Sequence, residues 1–368
     1  MLENVERVAQ IALFHGVDTP YEICEVPITD LANTVLVRVN LATICGSDLH
    51  TVSGRRSADV PCVLGHEVVG TVAAPTNLCS ADGRSLREGD RIVWSLTTSC
   101  GACHYCVTKN LPQKCETMFK YGHVQCADEN TLSGGFASHI QLKAGTAIYH
   151  IPDSIQDEEA APINCALGTV INGLKTIETY PGETAIVHGA GMLGIYAACY
   201  LREQGYDIVA IVDKNANRLQ IAERFGATHT YNADTTTNEE ISAKLKELTR
   251  GHGVDLAVEV SGAPSALPDM IEWLAIGGRC LTLGYVYPLE NIPFNVHQLV
   301  TKCINLQGVH NYHSTVLKSA LSFIEENRTR YPFAELIGKI YPLSEINDAF
   351  VHAFRQDIVR IAIDPHAN

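Results

Sequence analysis

The sequence predicts a mixed α/β protein in which a barrel-like β domain is joined to a domain built on a doubly wound parallel sheet. The chain has 368 residues, which is too long for one ordinary domain and suits two. Residues 1 to about 150 hold short β-branched runs separated by Gly, Pro and Asp, a pattern typical of an antiparallel β domain. From about residue 155 strands and helices alternate, which indicates a parallel sheet.

The individual elements follow from the same patterns. In the first domain, strands are predicted at 34–41 and 67–73. In the second domain, the predicted strands are 185–189, 207–213, 254–260 and 279–285, and the predicted helices are an apolar one ending at Leu201 and those at Asn217–Phe225 and Ala266–Ile276. The final segment adds an amphipathic helix at Thr315–Glu326 and a strand, IVRIAID, at 358–364.

Composition excludes several classes of function. With 46% hydrophobic and 18% charged residues, the chain can bury a large core and is not disordered. Its net charge of −14 argues against binding to nucleic acid or to an anionic membrane, since both need clustered Lys and Arg. The start, MLENVERVAQIALF, lacks the features of a secretory signal, and no apolar run suits a membrane span, so a cytoplasmic protein is expected.

A glycine motif marks the candidate cofactor site. GAGMLG supplies Gly189, Gly191, Met192, Leu193 and Gly194 directly after a predicted strand and before a predicted helix, the context that binds a dinucleotide pyrophosphate. The next strand ends in Asp213, whose carboxylate can accept hydrogen bonds from ribose hydroxyls and repel a 2′-phosphate, which favours NAD over NADP. The basic residues Lys214 and Arg218 leave NADP open as the cofactor. The alternative to a cofactor site is a glycine turn between a strand and a helix, with an unrelated surface Asp.

Four crowded cysteines form the second motif. The chain has 13 cysteines, an odd number, and Cys100, Cys103, Cys106 and Cys115 lie close together, unlike a disulfide framework spread through a small secreted domain. Four thiolates at this spacing can enclose a tetrahedral Zn²⁺ with no position left for water, which predicts a structural zinc site. Four unrelated cysteines remain the alternative, and the acidic charge argues against a nucleic-acid-binding zinc finger.

A third set of residues is dispersed along the chain. Cys45, His66 and Cys165 offer two thiolates and an imidazole, a donor set that would leave one zinc position open for water or a substrate oxygen. Spacing alone does not join them. Judged on the residues alone, a structural interpretation is as open as a metal site: His66 would then be a hydrogen-bonded core histidine, and Cys165 a small hydrophobic residue.

Together these motifs resemble those of the zinc-dependent medium-chain alcohol dehydrogenases. The matching segments occur in the family's order and cover essentially the whole chain: CGSDLH, VLGHEVVG, the four-cysteine segment, INCALGTVINGL, HGAGMLG and VEVSGAPSAL. The resemblance implies a GroES-like catalytic domain at 1–155 with a structural-zinc lobe at about 95–120, an inserted Rossmann domain at 156–305, and a segment, 306–368, that returns to the catalytic domain. One departure is the interval of eight residues between Cys106 and Cys115, where the family commonly has seven.

The resemblance also implies the roles of the dispersed residues. Cys45, His66 and Cys165 would ligate a catalytic zinc. Glu67 would lie beside the metal and enter its coordination during ligand exchange, and Asp48 would orient the imidazole of His66.

Two further residues match the family's proton path. Ser47 matches the hydroxyl that receives the alcohol proton, and His50 matches a relay to solvent; a capping serine and a solvated surface histidine are the alternatives. The resemblance further implies NAD, two Zn²⁺ per chain, a small alcohol or carbonyl substrate, and a homodimer or homotetramer joined through the Rossmann sheets.

A narrower resemblance bears on the substrate. CHYCVTKNLPQKCETMFKYGHVQ and LSGGFASHIQLKAGTAIYHIPD are similar to segments of alcohol dehydrogenases associated with phosphonate catabolism. A hydroxyalkyl phosphonate would need local cations, for which Arg55 and Arg56 are the nearest candidates, followed by Lys120 and His123. Solvated surface charges are the alternative for each. Two other hypotheses stay open: a polyol or secondary-alcohol dehydrogenase, and a non-catalytic nucleotide-binding protein.

Overall fold

Chain contacts divide the protein into two structural units. The first combines the residues up to Cys165 with those from His313 onward, and the second is Ala166–Tyr312. The computed structural model describes residues 8–29, 32–74, 76–127 and 130–367.

In the described part of the first unit, strands alternate with short α-helices. In chain order these are β1 (Val8–Phe14), β2 (Glu22–Pro27), β3 (Thr34–Thr43), α1 (Gly46–Val52), β4 (Cys62–Val63), β5 (Glu67–Val72), β6 (Arg91–Trp94), α2 (His104–Val107), β7 (His139–Lys143), β8 (Ile148–His150) and α3 (Asp157–Ala160). One turn of π-helix follows at Ile163–Leu167.

The second unit alternates helices and strands: α4 (Gly168–Thr176), β9 (Thr184–His188), α5 (Met192–Glu203), β10 (Ile208–Asp213), α6 (Ala216–Arg224), β11 (His229–Asn232), α7 (Asn238–Leu248), β12 (Val254–Glu259), α8 (Ala266–Trp273), β13 (Leu274–Thr282), α9 (Val296–Thr301) and β14 (Asn305–Gly308). Side chains fix several helix starts. The hydroxyl of Thr237 accepts the backbone N–H of Glu240, whose carboxylate accepts the N–H of Thr237 in return, a capping box that begins α7.

The strands of the second unit form one parallel sheet in the order β11-β10-β9-β12-β13-β14. Consecutive strands lie on either side of β9, so the direction of winding reverses between β9 and β12. In doubly wound sheets a ligand crevice opens at this point, beside the carboxyl ends of the strands.

The chain then returns to the first unit with α10 (Val316–Asn327), β15 (Ile337–Pro342), α11 (Ile346–Arg355) and β16 (Arg360–Asp364). A mixed sheet runs β15-β16-β3-β5-β6-β8, with β7 also paired to β3, and a smaller sheet runs β2-β1-β4. The antiparallel pattern predicted for residues 1 to about 150 is confirmed, whereas β15 and β16 of the final segment are parallel because α11 provides the crossover. Trp94, Tyr121 and Phe136 are fully buried in this core.

Three expectations from the sequence differ from the structure in detail. The boundary between the first and second units lies near residue 165 rather than 155. The reason is that the carboxylate of Asp157 accepts hydrogen bonds from the side chains of Asn40 and Arg91 in the first unit, at 2.9 and 2.5 Å. The second boundary lies at 312 rather than 305, because β14 pairs with β13. The helix predicted to Ile276 was wrong at its end: it stops at Trp273, and β13 begins at Leu274.

All thirteen cysteines are free thiols, as the crowded spacing predicted. Within the described ranges, no helix combines the length and the apolar character needed to cross a bilayer.

Candidate metal and cofactor sites

Four potential metal ligands meet in the first unit. Cys45 directly precedes α1, His66 directly precedes β5, Glu67 begins β5, and Cys165 lies in the π-helical turn. One ligand atom from each of the four lies within 4.8 Å of the others. Gly65 makes the entry to β5 possible, since its φ is +89° and a Cβ there would lie 2.8 Å from the backbone nitrogen of Phe136. Two thiolates, an imidazole and a carboxylate are a donor set that suits Zn²⁺.

Asp48 holds two of these ligands in place. One carboxylate oxygen lies 3.2 Å from Nδ1 of His66, and the other accepts the backbone N–H of Cys45 at 2.8 Å. Burial opposes protonation of His66, but the Asp48 carboxylate outweighs it and raises the pKa of the imidazole to about 10. A carboxylate behind a ligating histidine fixes the orientation of the ring and strengthens its free nitrogen as a donor.

Glu67 is embedded in a polar network that the sequence analysis missed. Arg360 of β16 donates to one of its oxygens at 2.9 Å, and the hydroxyl of Thr43 donates to the other. Arg360 also donates to the carbonyl oxygen of Ile44 at 3.2 Å. Burial raises the pKa of Glu67 to about 8, although Arg360 acts in the opposite direction. The signal in the sequence was a single arginine inside the apolar strand IVRIAID.

Ser47 and His50 both lie on α1, beside this group. The hydroxyl oxygen of Ser47 is 3.3 Å from Nε2 of His66, so it faces the same space as the ligand atoms. His50 is half-buried, and burial together with Arg55 lowers the pKa of its imidazole. Both residues can exchange protons with a group bound among the ligands or with solvent.

Basic side chains lie next to the ligand cluster, but His123, expected from the sequence to serve as a local cation, is uncharged there. The ring of His123 is 5.0 Å from that of His66, centroid to centroid. Burial, and then the charge of Arg56, lowers the pKa of Lys120 to about 8. Burial, and then Lys120, holds the pKa of His123 well below its ordinary value, so it is neutral at pH 7. Arg55 is more exposed than Arg56, and its charge lowers the pKa of His50 instead of that of Lys120.

The four crowded cysteines converge around α2. The sulfur atoms of Cys100, Cys103, Cys106 and Cys115 all lie within 4.8 Å of one another. Backbone N–H groups point at the sulfurs: that of Cys103 is 3.3 Å from Sγ of Cys100, and that of Cys100 is 3.3 Å from Sγ of Cys115. Burial opposes ionisation of Cys115, but the N–H of Cys100 overcomes it, and the pKa falls to about 6. Four clustered thiolates can close a tetrahedral metal site.

The glycine motif forms the turn between β9 and α5. Gly189 has φ +112°, and a Cβ on Gly194 would overlap the carbonyl oxygen of Gly189, so both positions need glycine. Gly191 is different: a Cβ there would meet nothing within 4 Å, which leaves the helix N-terminus open to a bound group. Met192 is buried and Leu193 half-buried at the start of the helix.

Asp213 ends β10, next to this turn. Its carboxylate accepts the backbone N–H of Ala190 at 2.6 Å and that of Asn215 at 2.8 Å, so it also fixes the glycine turn and the approach to α6. Lys214 is exposed, and Arg218 is half-buried in the first turn of α6. The contact with Ala190 is a structural role that the sequence analysis did not anticipate.

Comparison with known proteins matches both units. Residues 32–153 match the alcohol dehydrogenase GroES-like domain, and residues 193–326 match the zinc-binding dehydrogenase domain. The chain is 30% identical to 5-exo-hydroxycamphor dehydrogenase of Pseudomonas putida over 93% of this chain and 95% of that protein. It is 27% identical to sorbitol dehydrogenase of Bacillus subtilis over the full length of both.

A solved structure shows the same likeness. An alcohol dehydrogenase of Thermotoga maritima superposes with a TM-score of 0.93 and 28% identity, covering 98% of this chain and 100% of that one. These findings confirm the predicted fold, a GroES-like domain with a Rossmann-like parallel sheet, and they favour an enzyme over a non-catalytic nucleotide-binding protein. The chain therefore belongs to the zinc-dependent medium-chain alcohol dehydrogenases, oxidoreductases that use zinc and a nicotinamide cofactor.

Proposed function

We propose that the protein oxidises a small alcohol with NAD, and reduces the corresponding carbonyl compound in reverse, at a catalytic zinc held by Cys45, His66 and Cys165. The observation that carries the proposal is the convergence of these ligand atoms with Glu67 inside 4.8 Å, while the hydroxyl of Ser47 lies 3.3 Å from His66. When bound, zinc acts as a Lewis acid on the alcohol oxygen and NAD accepts the hydride.

The residues of the chain supply the remaining steps. Asp48 keeps the imidazole of His66 oriented, and the hydroxyl of Ser47 takes the proton of the alcohol. His50, half-buried on the same helix, passes the proton to solvent. Glu67 lies beside the ligands, accepts a hydrogen bond from Arg360, and would be available as a further ligand to the zinc during ligand exchange.

The cofactor is NAD rather than NADP, and a second zinc is structural. The carboxylate of Asp213, at the end of β10, would receive the ribose hydroxyls and repel a 2′-phosphate. The N-terminus of α5 at Gly191 is open and would receive the pyrophosphate. Cys100, Cys103, Cys106 and Cys115 would hold the structural zinc.

The substrate we favour is an anionic alcohol such as a hydroxyalkyl phosphonate. Arg56, Lys120 and His123 lie together beside the ligand cluster. The charges that affect the pKa of Lys120 most strongly are those of Arg56, Cys165, Lys114 and Cys45. Arg56 and Lys120 are the partly desolvated cations at this position, and they suit a phosphonate group. A polyol or other secondary alcohol is the second candidate, since the sorbitol dehydrogenase of Bacillus subtilis matches over its full length.

The test is NADH absorbance with zinc-loaded protein, NAD and a panel of hydroxyethyl- and hydroxypropyl-phosphonates, simple alcohols and polyols. Selective turnover of phosphonates is expected, with Arg56→Ala raising their KM about tenfold or more and leaving neutral alcohols unchanged. Arg87→Ala, an exposed arginine of the same unit, is the control. Turnover confined to neutral alcohols would establish the second candidate, and turnover of none would contradict the proposed reaction.

We also propose that the protein assembles through the edge of its parallel sheet, as a homodimer or as a pair of such dimers. β14 is an edge strand, and exposed apolar side chains lie on the elements that precede it in the chain: Ile276 of β13 and Val296 and Val300 of α9 are 80%, 58% and 69% exposed. Edge strands with apolar neighbours readily pair with a second copy.

A further inference from the structure

A buried carboxylate at the centre of the parallel sheet has no part in the chemistry described so far. Glu259 ends β12 and is 0% exposed. One oxygen accepts the backbone N–H groups of Ser261 at 2.7 Å and Gly262 at 2.6 Å, together with the hydroxyl of Ser261 at 2.8 Å. The other oxygen accepts the N–H of Gly284 at 3.0 Å. A carboxylate is buried in this way only where several donors replace water.

These hydrogen bonds join the loops that follow two adjacent strands. Ser261 and Gly262 follow β12, and Gly284 follows β13. A Cβ on Gly284 would lie 2.6 Å from Oε2 of Glu259 and 2.6 Å from the nitrogen of Gly262, so the two loops approach closely. The hydroxyl of Tyr285 also donates to the carbonyl oxygen of Ala263 at 3.1 Å.

The network extends to the strand that carries the glycine motif. Nδ1 of His188, the last residue of β9, lies 3.1 Å from the hydroxyl oxygen of Ser261. Because that hydroxyl donates to Glu259, it accepts from Nδ1–H of His188, an assignment made from the hydrogen-bond partners. One carboxylate thus connects the carboxyl ends of β9, β12 and β13.

The sheet order says which part of a dinucleotide would lie there. Asp213 belongs to β10, on one side of β9, whereas Glu259 belongs to β12, on the other side. A dinucleotide crosses the carboxyl edge at the point of reversal, with its pyrophosphate at the glycine turn. If the adenosine lies toward β10, the nicotinamide half extends over the loops after β12 and β13.

We infer that Glu259 is a positioning residue for the nicotinamide half of the cofactor: it fixes the backbone of Ser261, Gly262 and Gly284 as the wall of that part of the crevice. The inference rests on the proposed use of a nicotinamide dinucleotide. It predicts a selective defect, because the adenosine half is held on the other side of β9 and does not depend on Glu259.

The test compares Glu259→Gln with Glu247→Gln, an exposed glutamate on α7 of the same unit. A carboxamide keeps the shape of the side chain but turns an NH₂ group toward a backbone N–H. The dissociation constant of NADH, measured by fluorescence titration, should rise about tenfold or more in Glu259→Gln and stay within about twofold in Glu247→Gln. The dissociation constant of AMP, which carries only the adenosine half, should stay unchanged in both.

A second pair of variants covers the case in which Glu259→Gln does not fold. Gly284→Ala places a methyl group against the Glu259 carboxylate, whereas Gly308→Ala on β14 meets only the hydroxyl of Thr282 at 3.6 Å. Gly284→Ala should weaken the binding of NADH more than the binding of AMP, and Gly308→Ala should change neither. Equal loss of NADH and AMP affinity, or unchanged NADH affinity, would overturn the inference. Wild-type protein that binds AMP but not NADH would instead contradict the proposed cofactor.

Discussion

At the scale of single residues, the proposed mechanism routes the proton of the alcohol through Ser47. Its hydroxyl oxygen lies 3.3 Å from Nε2 of His66, within hydrogen-bonding distance of that ligand atom. We expect Ser47→Ala to lower kcat for alcohol oxidation about 10²-fold or more, since a positioned proton acceptor contributes roughly that factor. Zinc content and NADH affinity should be unchanged.

The control for this variant is Ser57→Ala, which removes an exposed hydroxyl a short distance along the chain. The measurement is kcat from steady-state kinetics with a good substrate from the panel, for both variants and the wild type. Zinc content is measured by mass spectrometry on the same samples. If Ser47→Ala keeps wild-type kcat, the alcohol proton leaves by another path.

His188 gives a prediction about pH. Burial lowers the pKa of its imidazole to about 4, below the ordinary value of about 6.5 that it regains on unfolding. Between these values the unfolded chain binds a proton that the folded protein does not, so stability falls as the pH is lowered from 6.5 to 4. This residue alone should account for up to about 3 kcal/mol of that loss.

The measurement is urea denaturation of wild type and His188→Asn at several pH values. The difference in unfolding free energy between the two proteins should shift in favour of the variant as the pH falls. His229→Asn, on β11 of the same sheet, is the matched control for the substitution itself. A difference that is constant from pH 7 to pH 4 would contradict the predicted pKa of His188.

The candidate site was predictable in part at this scale. Spacing identified the four crowded cysteines and the glycine turn, but only the family resemblance connected Cys45, His66 and Cys165. Arg360 and Glu259 were missed, because each is a single charge in an apolar strand and its partners follow from sheet pairing. A charge of this kind can be recognised as unusual in the sequence, but the sequence does not reveal which atoms form hydrogen bonds with it.

At the scale of elements, the proposed structural zinc would hold the four-cysteine lobe together as a unit. Apart from the one turn of α2, the lobe has little regular structure, so thiolate ligation would contribute much of its stability. We expect Cys106→Ser to reduce zinc from two ions per chain to one and to lower the thermal midpoint by about 5 °C or more.

Cys79→Ser, which removes an exposed cysteine of the same unit, should change neither quantity. NADH affinity should survive in Cys106→Ser, since the cofactor residues lie in the other unit. Two zinc ions per chain in Cys106→Ser would contradict the assignment of this cluster.

The elements themselves show where sequence patterns are reliable. The strands β9, β10 and β12 were predicted within one or two residues, because each is a short apolar run bounded by polar or glycine residues. The end of α8 was placed three residues too late. Leu274, Ala275 and Ile276 continue an apolar pattern that suits a helix, and pairing with β12 overrides it.

At the scale of the whole molecule, the proposed assembly depends on the edge of the parallel sheet. Val300 is 69% exposed on α9, the helix that precedes the edge strand β14 in the chain. We expect Val300→Glu to shift the protein toward monomers, because a charge would have to be desolvated at the interface. Light scattering coupled to size-exclusion chromatography measures this directly.

Val351→Glu is the matched control, since Val351 is 58% exposed on α11 of the other unit. It should leave the mass unchanged. A monomeric wild type, or a Val300→Glu variant with wild-type mass, would show that the edge does not join two copies.

The pairing of Arg360 with Glu67 has a consequence for the order in which the protein can mature. The two residues are separated by 293 positions, and β16 is placed in the sheet beside β3 only after the entire second unit has been made. A chain still emerging from the ribosome must therefore hold the Glu67 carboxylate without its cation. Premature termination before residue 360 would leave the ligand cluster electrostatically incomplete, although every proposed zinc ligand had already been synthesised.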